Sequence, residues 1–100
     1  MADFTIKNLK KSVVEVSREI GYLIIDTNER GEVNMVRKLA GISFPRFHIY
    51  LKQRGQDFVF DLHLDQKKPS YEGSHAHSGE YFGPVIDAET DRIKSILGGQ

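Results

Sequence analysis

The clearest pattern in the chain is an alternation of apolar and polar residues in two neighbouring segments, with Val59 out of phase. In the ranges 45–52 and 57–65 every second residue is apolar, namely Phe47, Ile49 and Leu51, then Phe58, Phe60, Leu62 and Leu64. A period of two is typical of strands that are buried on one face only. Gly55 lies in the short connection between the segments, as in a tight turn. The sequence therefore predicts a β-hairpin with one apolar and one polar face.

The polar face of this hairpin carries charged and imidazole side chains, and two registers bring them together. One register, with a four-residue loop, sets His48 opposite Asp61. The other, two residues away, sets His48 opposite His63 and Arg46 opposite Asp65. A slip of one residue is excluded because it would move every Phe and Leu to the wrong face. Both permitted registers predict one polar cluster, with opposed Cβ atoms about 5 Å apart.

A helix is predicted over residues 5–20, before the hairpin. Apolar residues recur there at spacings of four, three and four, at Leu9, Val13, Val16 and Ile20. Thr5 or Asn8 would cap its start, and Gly21 would end it in a left-handed conformation. The β-branched valines lower helix propensity, so a strand is the alternative for this segment.

The remaining regular elements complete an α+β domain. Two short apolar runs, 22–26 and 33–35, flank a turn-rich stretch and predict a first hairpin. A final helix is predicted over 88–97, capped by Asp87, with Ile93, Ile96 and Leu97 on its apolar side and Gly98 and Gly99 after it. The predicted order is an N-terminal helix, a three- to four-stranded antiparallel sheet, a long loop and a C-terminal helix, all in one domain over residues 1–100.

The long loop, residues 66–84, is the segment that points most directly to function. It lacks sustained periodicity and is rich in Gly, Ser and Pro. A loop of this length is unusual in so small a domain and favours a functional role. Within it, His75 and His77 are separated by one residue, so a short strand would present both imidazoles on one face.

Composition narrows the chemistry that this chain can support. It has 100 residues and no cysteine, which excludes disulfides and thiolate ligands, so any metal would be held by imidazole and carboxylate groups. The 14 basic and 14 acidic residues balance, which gives no overall attraction to nucleic acid or membranes. No apolar run approaches the roughly 18 residues needed to span a bilayer, and no signal-peptide pattern is present. We therefore expect a cytoplasmic protein without a membrane partner, either monomeric or a small homo-oligomer.

These observations lead to a metal-site hypothesis with Zn, Mn, Fe or Ni as the ion. The predicted ligands are His63, His75, His77, His48 and Asp65. Glu80 or Asp61 would carry the proton in any catalysed reaction. The competing interpretation is that these side chains form ordinary cross-strand hydrogen bonds and ion pairs. In that case the protein would be a non-catalytic module that binds a protein or nucleic acid.

Two nuclease patterns also bear on the same residues. Asp65, Gln66 and Lys67 resemble the acid-x-lysine half of a magnesium-dependent nuclease of the PD-(D/E)XK type, which also needs an acid on the preceding strand. Here Asp57 and Asp61 lie on the same predicted strand as Asp65. The pair of histidines in the long loop is similar to that of rolling-circle nucleases, but the predicted final helix carries no tyrosine nucleophile.

Four segments of the chain resemble a family of short uncharacterised prokaryotic proteins. They read PRFH from Pro45, HLDQK from His63, PSYEG from Pro69 and HAHSGEY from His75. The resemblance covers roughly residues 45–97. It implies no catalytic role, and it supports only the choice of this region as the functional one.

Overall fold

The computed structural model describes residues 2–39, 41, 44–65, 79–80 and 83–98. The strands are β1 (Ala2–Ile6), β2 (Leu23–Thr27), β3 (Val33–Lys38), β4 (Arg46–Arg54), β5 (Asp57–Asp65) and the two-residue β6 (Gly79–Glu80). The helices are α1 (Val13–Ile20) and α2 (Pro84–Leu97). The predicted α+β class is confirmed, with five longer strands in the sheet instead of three or four.

All the strands belong to one antiparallel sheet in the order β1-β5-β4-β3-β2, and β6 pairs with β5 beside β1. The β4–β5 pairing sets His48 opposite His63 and Arg46 opposite Asp65. The turn between them contains only two residues, because Arg54 already pairs with Asp57. Gly55 in that turn has a left-handed φ of 63°. The second of the two predicted registers is thus confirmed, and the one that sets His48 opposite Asp61 is wrong.

The N-terminal segment differs from the prediction, since a strand precedes a shorter helix. β1 pairs with β5, and the ring of Phe4 stacks on that of Phe60 at 4.8 Å. Leu9 is buried in the connection, where its backbone N–H donates to the carbonyl of Gln56. The cap of α1 is therefore neither Thr5 nor Asn8. It is Ser12, which forms a reciprocal capping box with Glu15.

The predicted end of α1 is confirmed at Gly21, which has a φ of 82°. Glycine adopts this left-handed conformation without the steric penalty that a Cβ would bring. The core lies between the sheet and the two helices, and its largest fully buried side chains include Phe58, Phe60, Ile20 and Ile93. Each buried side chain of this size stabilises the fold by about 1.5–3 kcal/mol.

The C-terminal helix α2 begins four residues earlier than predicted, because Gly83 is its N-cap and Pro84 its first residue. Proline suits this position, where its missing N–H has no helical partner to lose. The buried side of α2 consists of Ile86, Glu89, Ile93 and Leu97, whereas Ile96 is exposed, contrary to the prediction. Gly98 ends the helix as predicted. Neither described helix is long and apolar enough to cross a lipid bilayer.

Candidate metal centre

The face of the sheet opposite the helices carries the polar cluster that the alternation predicted. Side chains alternate along β4 and β5, so their polar positions share this face while their Phe and Leu positions face the core. His48 and His63 are direct cross-strand partners in the middle of the cluster. Their ring centroids are 4.7 Å apart, and their exposed fractions are only 9% and 6%. The fold therefore brings two buried imidazoles into contact.

Asp65 connects the two histidines. Its Oδ2 lies 3.3 Å from Nδ1 of His48, and its Oδ1 lies 3.2 Å from Nε2 of His63. The Nε of Arg46, opposite Asp65 on β4, donates to Oδ2 at 3.3 Å. One carboxylate thus faces two imidazoles and one guanidinium.

The surroundings of Asp65 favour its ionised form. Partial burial alone would raise the pKa of this carboxyl, but hydrogen bonding to His48 and His63 outweighs burial. The charges of the two imidazoles act in the same direction. Together they hold the pKa of Asp65 well below its ordinary range, so the site contains a carboxylate at any pH near neutrality.

The spacing of these donor atoms suits a metal ion. One ligand atom from each of His48, His63 and Asp65 can be chosen so that all three lie within 4.8 Å of one another. Bonds of about 2.0–2.1 Å to a tetrahedral zinc ion would place neighbouring ligand atoms about 3.3 Å apart. The two His–Asp separations, 3.3 Å to Oδ2 and 3.2 Å to Oδ1 of Asp65, are each close to that spacing. Charge-assisted N–H···O hydrogen bonds are shorter, about 2.7–2.9 Å.

The orientation of His48 also fits a role as a ligand. Its Nδ1 faces Asp65, while its Nε2 is buried and has no hydrogen-bond partner among the described residues. A neutral imidazole carries one proton, and with that proton on Nε2 the lone pair of Nδ1 faces Asp65 and is available for a cation. The ring of Tyr50 stacks on His48 at 4.7 Å and lies 5.6 Å from His63, which fixes both rings in place.

Arg46 is the feature that fits a metal least well. Its guanidinium contacts Asp65 and lies 4.6 Å from the centre of the Phe44 ring. This positive charge neutralises the carboxylate and would repel a cation bound beside it. The same contacts agree with the competing interpretation, an ion pair that joins β4 to β5.

Asp61 lies on the same face, one pleat away from His63. Its cross-strand partners are Tyr50 on β4 and Asp3 on β1. Burial, followed by the hydrogen bond and the negative charge of Asp3, raises the pKa of Asp61 to about 6. A carboxyl with such a pKa can hold or release a proton near neutral pH, as the predicted proton carrier would need to do.

Three predicted site residues lie wholly or partly outside the part of the chain that the structure describes. His75 and His77 lie outside the described residues, so their convergence on His63 stays a prediction. Glu80 belongs to β6 and pairs with Leu64, but its side chain is not among those described. Asp65 pairs with Gly79, so both ends of the 66–78 connection adjoin the candidate ligand Asp65. Asp57 and Asp61 do lie on the same strand as Asp65, as the sequence indicated.

A second polar cluster, which the sequence pattern did not predict, lies on the helix side of the sheet around Glu89. This carboxylate is 4% exposed and accepts hydrogen bonds from the hydroxyl of Tyr22 at 2.6 Å and from Nε and Nη2 of Arg92, both at 2.8 Å. Burial, and then the hydrogen bond to Glu89, raises the pKa of Tyr22 well above its ordinary value. The signal that could have revealed this cluster is a charged residue at a helical spacing from Ile86 and Ile93.

Comparison with known proteins adds no further constraint on the site. The chain matches no protein-family model, no curated protein and no solved structure.

Proposed function

We propose that this protein binds a divalent transition-metal ion through His48, His63 and Asp65. The observation that supports this most directly is that one half-buried carboxylate faces two buried imidazoles at 3.2 and 3.3 Å. Each His–Asp separation, taken alone, is close to that between neighbouring ligand atoms of a tetrahedral ion, and one ligand atom from each of the three residues can be chosen within 4.8 Å of the others. An aspartate is ionised near neutral pH at its ordinary pKa, so the carboxylate of Asp65 needs no deprotonation before it binds a cation.

The types of ligand favour zinc, nickel or iron over magnesium. Imidazole nitrogen is a good ligand for these transition metals, whereas magnesium prefers an octahedral set of oxygen atoms. Two of the three proposed ligands are imidazoles, so the magnesium-dependent nuclease is the weaker proposal. Zinc accepts tetrahedral sites with three protein ligands and is therefore the best match.

Three protein ligands would leave one coordination position for water or a substrate. A zinc ion so held acts as a Lewis acid or lowers the pKa of a bound water towards neutrality. Asp61 lies on the same face and is the candidate to exchange a proton with such a water. This role for Asp61 is part of the proposal, as is the further contribution of His75 and His77 as ligands.

The experiment is a calorimetric zinc titration of protein purified without a histidine tag and freed of metal with a chelator. We expect one zinc ion per chain in the wild type. His48→Gln, His63→Gln and Asp65→Asn should each weaken binding at least tenfold, because each removes one of three ligands. Asp26→Asn is the matched control, because Asp26 is an exposed carboxylate on β2.

A wild-type protein that takes up no zinc, manganese or nickel would overturn the proposal. If Asp65→Asn then lowers the free energy of unfolding equally with and without added metal, Asp65 serves as an ion-pair partner of Arg46. The non-catalytic binding module is in that case the better interpretation. A double variant, His75→Gln with His77→Gln, tests the predicted extension of the site separately. Weaker zinc binding in that variant would confirm that this part of the chain supplies a ligand.

A further inference from the structure

A cleft of about 450 Å³ lies on the other side of the sheet, against the first half of α2. Arg37 of β3 and Arg92 and Glu89 of α2 form its charged wall. Its apolar wall includes Phe47 and two residues of α2, Val85 and Ala88. We refer to it as the α2 cleft. It is separate from the candidate metal centre, which occupies the opposite face.

Arg92 is a structural component of this cleft, because its donors already have partners. Its Nε and Nη2 each donate to Glu89 at 2.8 Å, and Nη2 also donates to the backbone carbonyl of Ile20 at 2.7 Å. These contacts fix the guanidinium across the end of α1. Glu89 is likewise engaged by the Tyr22 hydroxyl.

Arg37 differs from Arg92 because most of the N–H donors of its guanidinium have no hydrogen-bond partner among the described residues. Among the described residues its guanidinium has one hydrogen bond, a long one of 3.4 Å from Nη1 to Oε1 of Glu89. A guanidinium has five N–H donors in a planar fork that matches a carboxylate. The side chain is 33% exposed, so its remaining donors can be reached by a ligand. One carboxylate against two guanidinium groups also leaves a net charge of +1 at the cleft.

We propose that the α2 cleft binds a small organic carboxylate with an apolar body. The carboxylate would pair with Arg37 through the free edge of its guanidinium, which would offset the excess positive charge. The apolar body would lie against Phe47, Val85 and Ala88, because burying apolar surface there is favourable. A volume of about 450 Å³ lies within the range for small-molecule sites. A bare, strongly hydrated anion would leave the apolar wall without a partner.

The test is a nuclear magnetic resonance titration of the metal-free protein with phenylacetate and, separately, with hexanoate. Phenylacetamide is the matched neutral probe, because it has the same shape as phenylacetate without the charge. We expect saturable shifts of the backbone amides of Arg37, Val85 and Ala88 with either acid. Binding of phenylacetamide should be at least about tenfold weaker, as expected for the loss of a charge-assisted pair.

Two variants test whether Arg37 is the group that binds the carboxylate of phenylacetate. Arg37→Gln should weaken phenylacetate binding about tenfold or more, and it should fold normally because the hydrogen bond it loses is a long one of 3.4 Å. Arg18→Gln, an exposed arginine on α1, should bind phenylacetate as the wild type does. The proposal is overturned if neither acid gives saturable shifts, if phenylacetamide binds as well as phenylacetate, or if Arg37→Gln retains wild-type affinity. None of these outcomes depends on metal binding.

Discussion

Replacing the buried carboxylate Glu89 with Gln should destabilise the protein more than any change at its surface. The substitution keeps the size of the side chain and removes its charge. Gln still offers one carbonyl oxygen to the surrounding donors. It places an NH₂ group where Tyr22 and Arg92 now donate to a carboxylate, so at least one donor must lose its partner.

The expected cost follows from the contacts of Glu89. Removing one partner of a buried ion pair costs about 3–5 kcal/mol, since it leaves the other charge uncompensated. The side chains of Arg92 and Arg37 are 31% and 33% exposed, so water can solvate part of their charge. We therefore expect the free energy of unfolding to fall by about 2–3 kcal/mol. For a domain of this size the melting temperature should drop by about 10–20 °C.

The measurement is urea unfolding at neutral pH, followed by circular dichroism. Asp91→Asn is the control, since this exposed carboxylate on the same helix should change stability by less than about 0.5 kcal/mol. A double-mutant cycle with Tyr22→Phe then isolates the 2.6 Å hydrogen bond, with an expected coupling of about 1 kcal/mol or more. If Glu89→Gln is as stable as Asp91→Asn, the reasoning about a compensated buried charge is wrong.

Three further changes test other parts of the structure. The pKa of Asp61 is raised to about 6, so this carboxyl binds a proton more tightly in the folded protein than in the unfolded chain. The contribution of the protonated carboxyl to the stability of the fold is therefore present below pH 4 and lost as the pH rises through 6. Asn resembles the protonated acid, so the free energy of unfolding of Asp61→Asn should be about 1 kcal/mol higher than that of the wild type at pH 8 and equal to it at pH 4. The value of about 1 kcal/mol is reduced to allow for the partial exposure of Asp61. Urea unfolding at both pH values measures this, and an equal difference at both would contradict it. Arg46→Gln should raise zinc affinity about tenfold in the calorimetric titration, because it removes a positive charge that lies 3.3 Å from Asp65. Weaker zinc binding would instead mean that Arg46 chiefly orients the carboxylate of Asp65. Ser12→Ala should cost about 1 kcal/mol in urea unfolding through loss of the capping box, whereas the exposed Ser95→Ala should cost much less.

The central hairpin could be predicted from the sequence because its pattern is local and period-two. The alternation of Phe and Leu in 57–65 fixes which side chains share a face, and the structure confirms that assignment. The alternation allows two registers for the pairing of β4 with β5, which differ in the length of the turn at Gly55. Turn length depends on strand twist and on backbone conformation, which the pattern of apolar residues does not specify.

The missed strand β1 shows how a helical spacing can mislead. Leu9 has the helical spacing of Val13, Val16 and Ile20. It is indeed buried, but it lies in the connection between β1 and α1 and not in the helix. The short sequence Ala2–Ile6 is a strand only because β5 is available as a partner more than 50 residues later. Local signals for the true helix start were present in Ser12 and Glu15, which match the capping-box pattern.

The polar network around Glu89 could not be predicted because it joins distant parts of the chain. Tyr22 and Glu89 are 67 residues apart, and Arg37 is 52 residues from Glu89. Periodicity assigns Glu89 to the buried stripe of α2 but does not identify a partner for its charge. Tertiary packing alone brings the partners together.

The pairing of β1 with β5 has a consequence for how the chain folds during translation. β1 leaves the ribosome before every other strand, yet its partner is the last of the five longer strands to emerge. Until β5 emerges, Phe4 has no Phe60 ring to stack on. After that, one edge of β5 stays open until β1 pairs with it. Closing so long a loop is entropically slow, so attachment of β1 should be a late step in folding. The other four longer strands form a continuous meander that can assemble in order of synthesis.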